Sequence, residues 1–276
     1  MTAAEIKPRR RTVTTGQALA GLVLLFWVLV LIFAPLLTPH NPNDFRADDG
    51  FAPVGLLGAD YIGRDLFSRI VAGTRITLLT ALAATAIAHL LGSTLGILSS
   101  ILGGWFDFAC SRVVDVMLSL PKMIVALVVI AVVGPSVEVL VVLAGVVYSA
   151  SVFRIARSLA ADVVVLDFVR VARARGESIF WLAFGEVIPN IAGPLAADFA
   201  LRLSFAILFI SGLSFLGLGV QPPLADWGGL VRENLSALSS GGLAPLYPAV
   251  AIASVAIALN VVVDAVSSSN RGKVQL

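Results

Sequence analysis

Charged residues make up only 13% of this 276-residue chain, so the places where they gather point to chemistry. Three such places stand out. In the first, Asp60, Arg64, Asp65 and Arg69 alternate in sign, with Gly63 and Ser68 among them. Their spacing fits a solvated helix laced by pairs worth a few tenths of a kcal/mol each; it equally fits a gate or a docking surface. In the second, Asp198 and Arg202 stand four apart within an apolar run, while His89 and Asn260 sit in two other apolar runs. Ionisable groups in such surroundings pair with one another or line a path, and a hydrogen bond to a neighbouring helix is the commoner use of a lone polar group. The third is the stretch DFVRVARARGESIFWLAFGEVIPN, Asp167 to Asn190, where five charged residues crowd a short segment that ends in an aromatic run and a proline.

Other chemistries find no support. Cys110 is the single cysteine, and His40 and His89 lie far apart; neither a disulfide framework nor a zinc-type spacing exists. No G-x-x-x-x-G-K-[ST] sequence occurs, and RGKV at Arg271 to Val274 lacks both the upstream glycine and the hydroxyl residue. The chain therefore has no loop of that kind to cradle ATP phosphates. A net charge of +2 without a basic stripe argues against nucleic acid. No clustered carboxylates, histidines or nucleophile suggest an active site, and no bound cofactor or metal is expected.

The elements that must position these residues are membrane spans. Hydrophobic residues form 58% of the chain, the mean hydropathy is +0.98, and apolar blocks reach the roughly 20 residues a bilayer crossing needs. Six spans are expected: Leu19–Leu37, Ile76–Leu102, Val113–Val133, Glu138–Ile155, Ile191–Leu213 and Leu243–Val263. The turn Gly134–Ser136 separates the third from the fourth. The first run is too long for a signal peptide and no A-x-A-like site follows it. With the N-terminus inside, 13 of the 19 Lys and Arg residues fall on inner segments, including Lys7, Arg9, Arg10, Arg11 and Lys122, so both termini are expected in the cytoplasm. The organisation is a basic tail (1–18), a first span (19–37), an external segment (38–75), a core (76–265) holding a cytoplasmic loop at 156–190, and a short tail (266–276).

At 100° per residue, Phe168, Val169 and Ala172 share an arc that Gly176 joins, with Asp167, Arg170 and Arg173 opposite. Such a helix could lie on the membrane with its arginines toward anionic headgroups, or insert its apolar arc into a groove on a cytoplasmic partner. Periodicity does not separate the two. Gly176 suits a helix end, and Pro189 suits the first turn of the next span. After the fifth span, Gly217, Gly219, Pro222 and Pro223 force a non-helical path before Trp227, as either a shielded re-entrant segment or an exposed loop. Gly92 and Gly96 are spaced for close helix packing.

The loop from Asp167 resembles the one shared by permease subunits of ABC importers, an E-A-A triplet followed by a glycine and an apolar-proline ending. Here the triplet reads Arg170-Val171-Ala172, Gly176 follows, and Ile188-Pro189 closes it; Arg170 and Glu186 depart from the pattern. Leu57, Gly58, Asp60, Gly63, Arg64, Asp65, Ser68 and Arg69 match L-G-x-D-x-x-G-R-D-x-x-S-R of the peptide and nickel branch. Ser214 to Trp227-Gly228 is similar to that branch's S-F-L-G-L-G-x-x-P-P segment with its following W-G. The chain thus resembles the C-type permease of a dipeptide, oligopeptide or nickel importer. The resemblance implies an all-α, type I importer permease fold with one N-terminal span and a five-helix core, in a bacterial cytoplasmic membrane. It also implies a second homologous permease, one or two ATPase subunits that use ATP and Mg, an external solute-binding protein, and an ATPase-coupling role for the loop bearing Asp167, Phe168, Arg170, Val171, Ala172, Arg173, Gly176 and Pro189. An ion-coupled transporter is the competing reading, and it lacks the paired broken spans such proteins show.

Overall fold

The computed structural model describes residues 15–53 and 55–271, without the side chains of 266–271. The basic tail with Lys7, Arg9, Arg10 and Arg11, and the end with Lys273, lie outside the described residues. Helix α1 (Thr15–Leu37) is followed by a turn-rich segment and then by α2 (Leu66–Leu102). Next come α3 (Gly104–Ser119), α4 (Lys122–Val133), α5 (Val137–Val164) and the short α6 (Asp167–Ala174). Helix α7 (Ile179–Trp181) runs through a π turn, Leu182–Val187, into α8 (Ile188–Phe215). Helix α9 (Trp227–Glu233), a 3-10 turn (Leu235–Ser240) and α10 (Leu246–Arg271) complete the described fold.

Five helices are long and apolar enough to cross a membrane, and the bent pair α3–α4 makes a sixth. The third span is therefore not the straight helix expected from Val113 to Val133: the two pieces meet at 88°. Pro121 is the cause, because it disfavours helical backbone at the residue before it, and Leu120 is extended at φ −89°, ψ 134°. This break also makes Lys122, expected within a straight third span, the first residue of a separate helix. Two other boundaries shift. Helix α2 starts at Leu66 rather than Ile76, because the Asp65 carboxylate accepts the Ser68 amide at 3.0 Å and caps it. Helix α5 continues to Val164, so residues 156–164 of the expected loop are helix.

The core centres on α2 against α5. Gly92 and Gly96 are what permit it: a Cβ on Gly92 would stand 2.5 Å from the Ser149 carbonyl oxygen, and one on Gly96 would stand 2.7 Å from that of Phe153. At 1.5 Å per residue α2 is about 55 Å long, well beyond the roughly 30 Å of a hydrocarbon core. Its two ends therefore reach past the apolar zone, the Leu66 end anchoring two of the sequence motifs and the Leu102 end the third.

Candidate functional site

At the Leu66 end, Asp60, Arg64, Asp65 and Arg69 do not form a solvated helix. They are all buried, Asp60 and Arg69 completely, and only the last of them lies within α2. Gly63 makes the preceding turn at φ +87°, where a Cβ would sit 2.1 Å from the Ala47 oxygen. The turn aims the Asp60 carboxylate inward: Oδ1 accepts the backbone amides of Ile62 (3.0 Å) and Arg64 (2.8 Å). Oδ2 accepts Arg64 Nε (2.8 Å) and Arg69 Nη1 (2.6 Å). Arg69 Nη1 also donates to Glu233 Oε2 of α9 at 2.5 Å, and Arg64 Nη2 does so at 3.3 Å. Asn234 reinforces the joint by accepting the Tyr61 amide at 3.1 Å. Ser68 donates its hydroxyl to Asp65 Oδ2 at 2.5 Å. The sequence reading missed Glu233 and Asn234, because nothing local marks residues that act across more than 160 positions.

The second motif closes on the same end. After α8 the chain turns through Gly217 and Gly219, passes a cis Pro222–Pro223 bond, and buries Trp227 completely. Trp227 Nε1 donates to the Ile70 carbonyl at 3.1 Å, its amide donates to Thr77 Oγ1 at 3.0 Å, and its ring meets Trp27 of α1 edge-on at 4.7 Å. The segment is thus packed against α1 and α2, not a plain exposed loop.

Midway along the bundle, Asp198 and Arg202 pair on α8 at 3.1 Å, and His89 Nε2 of α2 lies 3.3 Å from the same carboxylate. His89 Nδ1 faces the Thr85 carbonyl at 3.1 Å, and Phe199 packs on the ring. Asn260 of α10 donates to Ser204 Oγ on α8 at 3.1 Å. His89, Asp198 and Asn260 therefore tie helices together, while Arg202 contacts Asp198 and the Phe205 ring within α8.

At the Leu102 end, α6 buries Val169 and Ala172 of its apolar arc, as its periodicity suggests, but within the chain's own fold. Both are fully buried against this chain's own Ile97, Ile101, Val163, Leu182 and Val187. The fold itself covers these two residues of the arc. Phe168, assigned to that arc, is 41% exposed, and Val171 and Arg170 beside it are exposed too. Arg173 Nη2 donates to the Ile101 carbonyl at 3.1 Å, joining α6 to the end of α2. Gly176, at φ +82°, closes α6: its amide donates to Arg173 O (3.0 Å) and that of Glu177 to Ala172 O (3.2 Å). Pro189 stands in the first turn of α8, where its missing N–H costs little.

A family described as binding-protein-dependent transport system inner membrane component matches residues 92–268. The chain belongs to this family. The permease is 31% identical to the dipeptide transport system permease protein of Alkalihalophilus pseudofirmus over 90% of this chain and 83% of that one. It is 30% identical to the probable D,D-dipeptide transport system permease protein of Escherichia coli, over 95% and 93%. It is 29% identical to the glutathione transport system permease protein of Pectobacterium atrosepticum, over 89% and 83%. It is thus an ABC importer permease and a multi-pass membrane protein. No group of three His, Cys, Asp or Glu side chains placed to hold a metal occurs among the described residues.

One carboxylate of the permease gives a pH signature outside the spans. Asp226 caps α9, accepting the amides of Gly228 (3.1 Å) and Gly229 (3.3 Å). Burial pushes its carboxyl from 3.8 up to about 6, against hydrogen bonds from Ser214 and the two amides and with help from Glu233. A pKa raised on folding favours the folded state fully below the unfolded value, and that contribution is lost as pH climbs through the folded one. Asp226→Asn keeps a capping oxygen without the charge. Its melting temperature relative to the parent should therefore rise as pH goes from about 4 to about 7, measured by thermal unfolding in detergent; a constant difference would contradict this.

Proposed function

We propose that this permease forms half of the translocation path of an ATP-driven importer for short peptides, the other half coming from a second, related permease. The observation that carries the substrate class is that relatives matching nearly the whole chain bear dipeptide, D,D-dipeptide and glutathione transport names. A solute-binding protein delivers the peptide to the Leu66 end, and one or two ATPase subunits, which bind ATP and Mg, act at the Leu102 end. The lysine and arginine asymmetry puts the Leu102 end, with both termini, in the cytoplasm.

The docking of α6 supports a coupling role and redefines its contact face. Its buried side is fixed to α2 and to the π turn before α8, so a push on the outer side moves both spans as one body. The partner then reads Phe168, Arg170, Val171 and the Gly176 turn, while Val169 and Ala172 serve as the anchor. A Cβ on Gly176 meets nothing within 4 Å, so Gly176→Trp adds its bulk outside the chain. In reconstituted complexes this variant should lose ATPase association and ATP-dependent uptake of a labelled dipeptide while still inserting in the membrane. Normal ATPase binding together with normal uptake would remove the coupling role.

A further inference from the structure

Sequence reading places Lys122 near the start of the third span and counts it with the inner segments; the break at Pro121 makes it the first residue of α4, part of the bent span. Its ammonium lies 4.4 Å from the centre of the Tyr148 ring and 3.4 Å from the Ser151 hydroxyl. Among the described residues no carboxylate comes within 4.0 Å of it, whereas Arg154, Arg157 and Arg202 each pair with one. Tyr148 in turn donates its hydroxyl to the Phe205 carbonyl at 3.1 Å, and the Arg202 guanidinium stands 5.7 Å from the Phe205 ring. Two cations thus flank one Tyr148–Phe205 contact. Asp198 answers only Arg202 and His89, so one positive charge remains without a counter-ion.

An ammonium within a membrane span is costly to leave facing lipid. Lys122 and Arg202 are nevertheless only partly covered by this chain, so their open side must meet water or another chain. Lys122 also opens α4, whose N-terminus carries no side-chain cap and whose first N–H groups lack helical acceptors. The dipole there adds positive potential to the same place. Interrupted membrane helices present such ends to anionic groups.

We infer that Lys122, with Arg202 behind it, forms a carboxylate subsite on the wall of the translocation path, which holds the C-terminal carboxylate of a peptide in transit. This rests on the peptide reading above. It assigns the faces of α4, α5 and α8 around Lys122, Ser151 and Arg202 to the path. The ammonium supplies a charge-assisted hydrogen bond, and Tyr148 holds it in place through its ring.

The test uses the full complex in proteoliposomes with its binding protein, supplied with labelled Ala-Ala and with its C-terminal amide. The parent should favour the free acid, and Lys122→Met should collapse that acid-to-amide uptake ratio by about tenfold, the effect of losing one charge-assisted hydrogen bond. Lys122→Arg should keep most of the ratio. Co-purification of the ATPase subunits with each variant shows that the complex has assembled. If uptake of both peptides falls equally, Lys122 pairs with a carboxylate of the second permease and the inference is overturned; an unchanged ratio overturns it too. A parent that moves acid and amide alike overturns the subsite but leaves the peptide reading standing. A parent that moves neither peptide removes both.

Discussion

Arg69→Met is expected to unlatch the 38–65 segment from the bundle and to destabilise the protein by about 3–5 kcal/mol. The guanidinium is fully buried and joins Asp60, on the turn before α2, to Glu233, at the end of α9. Removing it leaves two carboxylates facing one buried point, with only Arg64 to answer them. Arg69 Nε and Nη2 make no hydrogen bond within the described protein, so the network is not strongly favourable as a whole. Its cost appears when one member goes. Two comparisons follow. Arg64→Met should cost less, because that side chain is at the edge and Arg69 still bridges both acids. Asp60→Asn placed on Arg69→Met should recover part of the loss, because it removes one orphaned charge. Thermal unfolding in detergent gives the order, and limited proteolysis of the 38–65 segment locates the damage. An Arg69→Met protein as stable as the parent would show that the pairs do not hold this end together.

The sequence exposed the parts of this site more readily than their arrangement. Apolar runs marked the spans because hydropathy is a local property, and Gly134–Ser136 marked a true turn. Gly176 and Pro189 were legible because a positive φ and a missing N–H act where they stand. The sense of α6 was not: helical periodicity shows that Val169 and Ala172 are the buried side but not what buries them. The sign alternation from Asp60 to Arg69 was misleading for a similar reason. Spacing of four fits a helix, yet Asp60 and Arg64 sit on a turn whose shape comes from Gly63 and from backbone bonds to Ala47 and Phe51. Glu233, Asn234 and Lys122 gained their roles from chain segments distant in sequence, or from a bend that one proline imposes. Burial of the whole network, which turns weak surface pairs into an all-or-none joint, exists only in three dimensions.

Gly92→Leu should do the greatest damage to the bundle itself. A leucine there has no place to go: its Cβ alone meets the Ser149 oxygen at 2.5 Å, Val152 Cβ at 2.7 Å and the Phe153 amide at 2.9 Å. Two of these are backbone atoms on a packed helix, so relief requires α2 and α5 to separate. Overpacking in a core costs about 1–3 kcal/mol when side chains can yield, and here the cost should exceed that range. The functional loss should go further than the stability loss. Helix α2 carries the Arg69 network at one end and receives Arg173 of α6 on the Ile101 carbonyl at the other. A wedge at Gly92 lies between them, and would let the two ends move independently. The variant should therefore melt well below the parent and, in whatever fraction folds, hydrolyse ATP in the complex with little uptake. Gly16→Ala is the matching control, since a Cβ there meets nothing within 4 Å and alanine favours the helix by up to about 1 kcal/mol. Uptake by Gly92→Leu at the level of Gly16→Ala would mean that the α2–α5 seam is not what carries movement from one end of the permease to the other.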